Sequence, residues 1–253
     1  MSKLTELVRA KLHNGSRKLH LGLLGGSEYN ETIPPEILDD GFYEAIRSVA
    51  RVAKIKTALE IGSSTGEGST RAFVEGLHDN PLRPQLFCME VSLPRFRQLS
   101  ERYAGDPQVK CYNLTSVALD RLATEQQVVD FYNRRDSKLN RVPLGEVRRW
   151  LRQDIRYLNE HGGSQNGIAM IKEQHGIDRF GMVLIDGSEF TGAAELEEVY
   201  GADFILLDDI GTFKNLANYE RLSGDTDYLL VEKDEQLRNG YAVFERRNRS
   251  GEI

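Results

Sequence analysis

The sequence predicts an α/β protein on a doubly wound, mostly parallel sheet of seven strands whose last strand runs antiparallel. Three observations carry this expectation. Short apolar runs at Thr57 to Ile61, Gln85 to Val91 and Val109 to Tyr112 alternate with helical patterns, the β-α-β-α-β order of a parallel sheet with helices on both faces. The first run breaks into a glycine-rich turn, Gly62-Ser63-Ser64-Thr65-Gly66-Glu67-Gly68, and then into a helix. The last two runs, Tyr228 to Glu232 and Tyr241 to Glu245, are joined by Lys233 to Gly240, a connection too short for a helical crossover, so they must be antiparallel neighbours.

The elements follow in order. Leu4, Leu7, Val8 and Leu12 recur at helical spacing and predict a short helix over Lys3 to Leu12. Gly22 to Pro35 reads as loop, either a surface connector or a cover over a bound ligand. A helix is expected from Glu36 to Ala53, with Ile37, Phe42, Ile46, Val49 and Val52 on one side. Further helices are expected over Thr70 to Leu77 and Pro94 to Tyr103. A long excursion from Ser116 to Phe180 exceeds what a crossover needs and must hold extra helices. Within it Val147, Trp150, Leu151, Ile155 and Leu158 share one face, and Arg148, Arg152 and Arg156 share another. Between Arg134 and Arg156 stand eight Lys or Arg against three Asp or Glu, which suits a solvated face or a lid or subunit contact, as in a homo-oligomer, that meets an anionic substrate. Strands at Met182 to Ile185 and Phe204 to Leu207 flank a helix over Ala193 to Tyr200.

Length and composition narrow the class. A chain of 253 residues fits one large domain, divided here into an N-terminal region 1–56, a main domain 57–245 with an insertion over 117–180, and a tail 246–253. A net charge of -6 speaks against a basic nucleic-acid footprint. No apolar run long enough to span a membrane occurs, and the first residues lack the apolar core of a signal peptide, so a cytoplasmic location is expected. Two cysteines, Cys88 and Cys111, suggest no disulfide framework. Glycosylation acceptor patterns at Asn14, Asn30, Asn113 and Asn248 then carry no meaning.

The glycine spacing is Glu60-x-Gly62-x-x-x-Gly66-x-Gly68, unlike the G-x-G-x-x-G of dinucleotide folds. Glycines there are expected to let a ligand approach without meeting a Cβ. The pattern resembles the first motif of class I S-adenosylmethionine-dependent methyltransferases. That resemblance implies that Glu60, Gly62, Ser63, Gly66 and Gly68 wrap the amino-acid end of the cofactor. Glu90, 22 residues after Gly68 at the end of the second strand, is placed to accept ribose hydroxyls. The reversed last strand agrees with the same family. Thr115 and Ser116 occupy the place of its adenine contacts, or equally cap the next helix. The resemblance covers Thr57 to Val117 and Gly181 to Glu245.

A second cluster bears on the acceptor. Asp186 ends the fourth strand and Asp208 and Asp209 end the fifth, at the edge where open α/β sheets bind ligands. Three converging carboxylates repel unless a cation or protons compensate, and hard oxygen ligands suit Mg²⁺, Mn²⁺ or Ca²⁺. An Asp-Gly after the fourth strand and Asp-Asp after the fifth resemble metal-dependent small-molecule O-methyltransferases of the catechol, macrocin and cephalosporin hydroxylase-like groups. This implies a divalent cation, Mg²⁺ first, on Asp186, Asp208 and Asp209; Asp186 and, from its place just past Asp209, Lys214 are the candidate catalytic residues. Glu189 stands where the catechol type has a lysine, and Lys214 and Asn215 are candidates to bring a cation and an amide to the site. The competing reading of the aspartates is strand-end capping. The histidines show no metal-binding spacing, and His20 is the one kept as a remote base. The expected function is methyl transfer to a hydroxyl of a sugar or secondary metabolite. Rivals are an NAD-dependent oxidoreductase or sugar-nucleotide enzyme, and a non-catalytic cofactor-binding or assembly protein.

Overall fold

The structure is a computed structural model that describes Thr32 and residues 34–161 and 165–247. The helix expected over Lys3 to Leu12, most of the loop from Gly22 to Pro35, His13, His20, Asn14, Asn30 and Asn248 lie outside the described residues.

Seven strands form one sheet: β1 (Thr57–Ile61), β2 (Gln85–Met89), β3 (Val109–Tyr112), β4 (Met182–Ile185), β5 (Phe204–Asp208), β6 (Tyr228–Asp234) and β7 (Tyr241–Arg246). Their spatial order is β3-β2-β1-β4-β5-β7-β6. The first five are parallel, while β7 pairs antiparallel with both β5 and β6, as the short connection before it demanded. Alternate residues of β1 show why helices must cover both faces. Leu59 and Ile61 join Phe87, Val183 and Ile205 in one buried cluster, whereas Ala58 joins Leu86, Leu184 and Leu206 in another.

On the second face lie α1 (Gly41–Val52), α2 (Ser69–Asp79) and α3 (Leu93–Arg102), packed through Phe42, Ile46, Phe73 and Leu99. The α1 helix begins five residues later than the periodicity suggested, because the Asp40 carboxylate caps it by accepting from the Tyr43 amide at 2.9 Å. The long excursion holds α4 (Glu125–Arg134), α5 (Leu144–Glu160) and α6 (Gly167–His175), with 3₁₀ turns at Leu119–Arg121 and Lys138–Arg141. The first face is covered by α6 and by α7 (Gly192–Val199) and α8 (Leu216–Gly224). No periodicity announced α8, which buries only Asn218 and Leu222. Cys88 and Cys111 are free, opposite one another on β2 and β3. Among the described residues, no helix is long and apolar enough to cross a membrane.

The extra helices form their own small core. Val128, Leu139, Val142, Val147 and Leu151 enclose Phe190, which lies beyond β4, and Phe213, beyond β5, packs against them. The Ala123 amide donates to the Phe190 carbonyl at 3.0 Å, and the Lys138 amide to the Gly211 carbonyl at 2.8 Å. The insertion is thereby seated on the loops that follow β4 and β5.

Candidate active site

The loop after β1 is built by close approach. Gly62 has φ +90°, and its amide and that of Ser63 donate to the Met89 carbonyl at 3.0 and 2.9 Å. A Cβ at Gly62 would stand 2.1 Å from the Asp186 carbonyl oxygen, so a side chain there would force the loop off the end of β4. At Gly66 a Cβ would meet the Tyr103 ring at 2.7 Å, and at Gly68 the Ile37 carbonyl at 2.8 Å. These glycines make room for neighbouring protein, and Gly62 and Gly66 take the positive φ that glycine allows.

Beneath the loop, Glu60 is fully buried on the face covered by α2. Its Oε2 accepts from the Thr70 hydroxyl at 2.6 Å, while Oε1 and the buried Ser63 Oγ find no partner among the described residues. Burial pushes the Glu60 carboxyl above its ordinary pKa, against the pull of nearby hydroxyls. Buried polar atoms without partners mark where a ligand or water completes a network.

Glu90 follows β2. Its Oε2 accepts from the Ser64 amide at 2.8 Å and its Oε1 from the Ser92 amide at 2.7 Å, leaving each oxygen a lone pair for a further donor such as a hydroxyl. Burial raises its pKa, opposed by those two amides and by Arg95. Thr115 and Ser116 part company. Thr115 lines a cavity of about 240 Å³ with Val91, Asn113, Leu114, Leu158 and His161, beside Glu90. Ser116 is not among the lining residues, and its hydroxyl donates to Glu195 Oε1 at 2.6 Å. The α5 helix thus supplies one wall of the cavity, and the His161 ring at its end stacks on Tyr157 at 4.1 Å.

The three aspartates converge as expected, with one oxygen from each within 4.8 Å of the others. Lys214 reaches into them. Its Nζ lies 2.7 Å from Asp186 Oδ1 and 2.7 Å from Asp209 Oδ2. Arg238 approaches Asp208 Oδ1 at 3.3 Å and also pairs with Asp40, and the Asn239 amide donates to Asp209 Oδ1 at 2.9 Å. Burial works against the Lys214 charge, yet Asp186, Asp209 and Asp208 hold its pKa well above the ordinary lysine value. Asp208 is pushed up to about 8 by burial and by its two carboxylate neighbours, despite Arg238 and Lys214. The donor oxygens are of the type a hard divalent ion takes, but two of the three carboxylates already share an ammonium. Lys214 thus takes up one oxygen each of Asp186 and Asp209.

Asn215 corrects another expectation. Its amide does not face the cluster but donates to the Ile185 and Asp208 carbonyls at 3.0 and 2.7 Å, tying the ends of β4 and β5 together. Arg238, Asn239 and Glu195 were not singled out by sequence reasoning. Asn239 appeared only as part of a turn signal, and nothing local distinguishes an arginine in a strand connection from a surface one.

Two arginines of the basic stripe are engaged within the chain. Arg148 and Arg152 both bind the Glu125 carboxylate, and Arg135 binds Glu220 at 2.8 Å. Across the site's roof, Asp154 of α5 accepts a hydrogen bond from Ser188, two residues beyond Asp186.

Three solved structures are similar to this chain at low identity. The cofactor-bound protein Rv0187 from MTB is 12% identical, with 97% of each chain covered and a TM-score of 0.50. The likeness to that structure is one of fold. A putative caffeoyl-CoA O-methyltransferase from Staphylococcus aureus is 14% identical over 92% of this chain and 99% of its own, at a TM-score of 0.49. The O-methyltransferase TomG from Streptomyces achromogenes, in complex with SAM, is 12% identical over 94% of this chain and 88% of its own, also at 0.49. At such identities the likeness is one of fold. No protein-family model and no curated protein matches the chain. The glycine loop and the Asp186 cluster fall at adjacent strand ends, β1 and β4.

Proposed function

We propose that the protein transfers a methyl group from S-adenosylmethionine to a hydroxyl of a small molecule such as a sugar or secondary metabolite. The observation that carries this reading is the contact between the two halves of the site. Gly62 lies against the Asp186 carbonyl, and the Asp186 amide donates to Ile61 at 3.1 Å, so a donor in the glycine loop and an acceptor at Asp186 are neighbours. Such alignment supplies much of the acceleration of a displacement.

S-adenosylmethionine, when bound, contributes an electrophilic methyl carbon on sulfonium. The chain's residues supply the rest. Glu60, Ser63 and Glu90 offer acceptors to the cofactor's ammonium and ribose ends, and Val91, Leu114 and Leu158 offer an apolar wall. The Asp186 side chain is 20% exposed, whereas Asp208 and Asp209 are buried, so Asp186 is the carboxylate an incoming hydroxyl reaches. Asp186 accepts the hydroxyl proton as the acceptor oxygen is methylated. Lys214 stays charged and so acts as a cation rather than a base. The insertion, seated over Ser188 and Phe190, excludes water from the same edge.

The divalent cation expected from the sequence, Mg²⁺ first, would use Asp186, Asp208 and Asp209 as ligands and polarise the acceptor oxygen. Lys214 already sits on two of those carboxylates. An anionic acceptor draws little support from the basic stripe, since Arg148 and Arg152 share Glu125.

Melting the protein with S-adenosylhomocysteine and with NAD tests the reading, because a specific ligand raises Tm in proportion to its excess over Kd. S-adenosylhomocysteine should shift the melt and NAD should not; a shift by NAD alone would sink the proposal in favour of an oxidoreductase.

A further inference from the structure

We infer that Lys214 is the resident cation of the Asp186, Asp208 and Asp209 cluster, standing where a divalent ion would otherwise sit, so that the acceptor half of the site works without a metal. This rests on the methyl-transfer reading for its function, but its geometry stands independently.

The charge balance comes first. Asp186, Asp208 and Asp209 converge within 4.8 Å, and Glu189 accepts from the Lys214 amide at 3.3 Å. Against these acids stand Lys214 on Asp186 and Asp209, and Arg238 on Asp208. Buried carboxylates need a compensating charge, and here Lys214 and Arg238, the latter shared with Asp40, supply part of it from within the chain. A divalent ion bound by the same oxygens would sit within a few ångströms of the ammonium, where repulsion in a buried setting is severe.

The position of Lys214 is also built rather than incidental. Its side chain is 6% exposed, so the ammonium is not the tip of a surface chain folded inward. Its backbone is pinned on both sides. A Cβ at Gly192 would stand 2.0 Å from the Lys214 carbonyl oxygen, so α7 begins in contact with it. The next residue, Asn215, is anchored to the ends of β4 and β5 and accepts from the Asn218 amide at 2.8 Å. Opposite it, Asp209 has φ +58°, a left-handed conformation rare for a side chain other than glycine, and its carboxylate is held by both Asn239 and Lys214.

The test is a binding experiment on the full chain. Wild type and Lys214→Met are melted with MgCl₂, MnCl₂ or EDTA at constant ionic strength, and free Mn²⁺ is followed by its paramagnetic resonance signal. Wild type should show no ion-dependent shift in Tm and no loss of the free Mn²⁺ signal. Lys214→Met, with its carboxylates released, should gain a Mn²⁺-dependent rise in Tm that the double variant Lys214→Met/Asp209→Asn lacks. Mn²⁺ uptake by wild type that is lost in Asp186→Asn would overturn the inference, as would a folded Lys214→Met that takes up no ion. Should Lys214→Met fail to fold, the wild-type titration against Asp186→Asn still decides. A parallel melt with S-adenosylhomocysteine separates this from the methyl-transfer reading: if that shift is absent while wild type ignores Mn²⁺, the function fails and the resident cation stands.

Discussion

Glu90 Oε2 holds the Ser64 amide at 2.8 Å, and Ser64 has φ +49°, so a buried carboxylate at the end of β2 stabilises a left-handed residue in the glycine loop after β1. The residue expected to bind a ribose therefore also shapes the loop expected to bind the rest of the cofactor. Replacing Glu90 with Ala should lower stability by about 1–3 kcal/mol, the cost of leaving buried amides unpaired. Urea unfolding measures that loss. The same variant should lose the S-adenosylhomocysteine shift in Tm, and an undiminished shift would remove Glu90 from the binding site.

Gly62→Ala should be far more damaging than its single methyl suggests. The new Cβ would meet the Asp186 carbonyl at 2.1 Å on a residue at φ +90°, so a loss of about 3 kcal/mol or more is expected. Gly145→Ala, in the first turn of α5 with nothing within 4 Å of its Cβ, should instead be neutral or stabilising by about 0.5 kcal/mol. Thermal melts of the pair distinguish conformational need from mere glycine content.

Glu195 gives a pH signature. It is fully buried, with Oε1 accepting from Ser116 and Oε2 without a partner among the described residues. Burial raises its pKa, against Ser116, Thr191 and Lys214. A carboxyl with a raised folded pKa keeps its proton to higher pH in the folded state, so stability from this group is present below the unfolded pKa and falls as pH rises through the folded one. Glu195→Gln should therefore gain on wild type as pH rises above the ordinary carboxylate range and converge with it in acid. Parallel melts across pH read this directly, and a difference independent of pH would count against a raised pKa.

Phe190→Ala should undock the insertion. Phe190 is 3% exposed and packs with Val128, Leu139 and Leu151, so its truncation should cost about 3–5 kcal/mol. Limited proteolysis should then cut within 123–142 sooner than in wild type. Cleavage at an unchanged rate would mean that the backbone bonds at Ala123 and Lys138 suffice to hold the insertion.

Much of the fold was legible because it depends on local and periodic signals. The five parallel strands and the reversed β7 follow from apolar runs of strand length and from connection lengths, and the helix starts shifted by a few residues where caps such as Asp40 decided them. The α8 helix was missed because it presents almost no apolar stripe. The strand-end logic brought Asp186, Asp208 and Asp209 to one edge, and the carboxylates do meet.

What sequence alone determined, then, was the sheet, the loop after β1 and the convergence of acidic residues, since each is fixed by neighbours along the chain or by strand order. Only the tertiary structure decided what those groups touch. Ser116 faces Glu195 and not the cavity, Asn215 ties strand ends, and the ammonium of Lys214 lies between Asp186 and Asp209. Contacts between residues remote in sequence depend on how loops seat against one another. In a buried cluster those contacts, more than residue identity, determine which charges are paired.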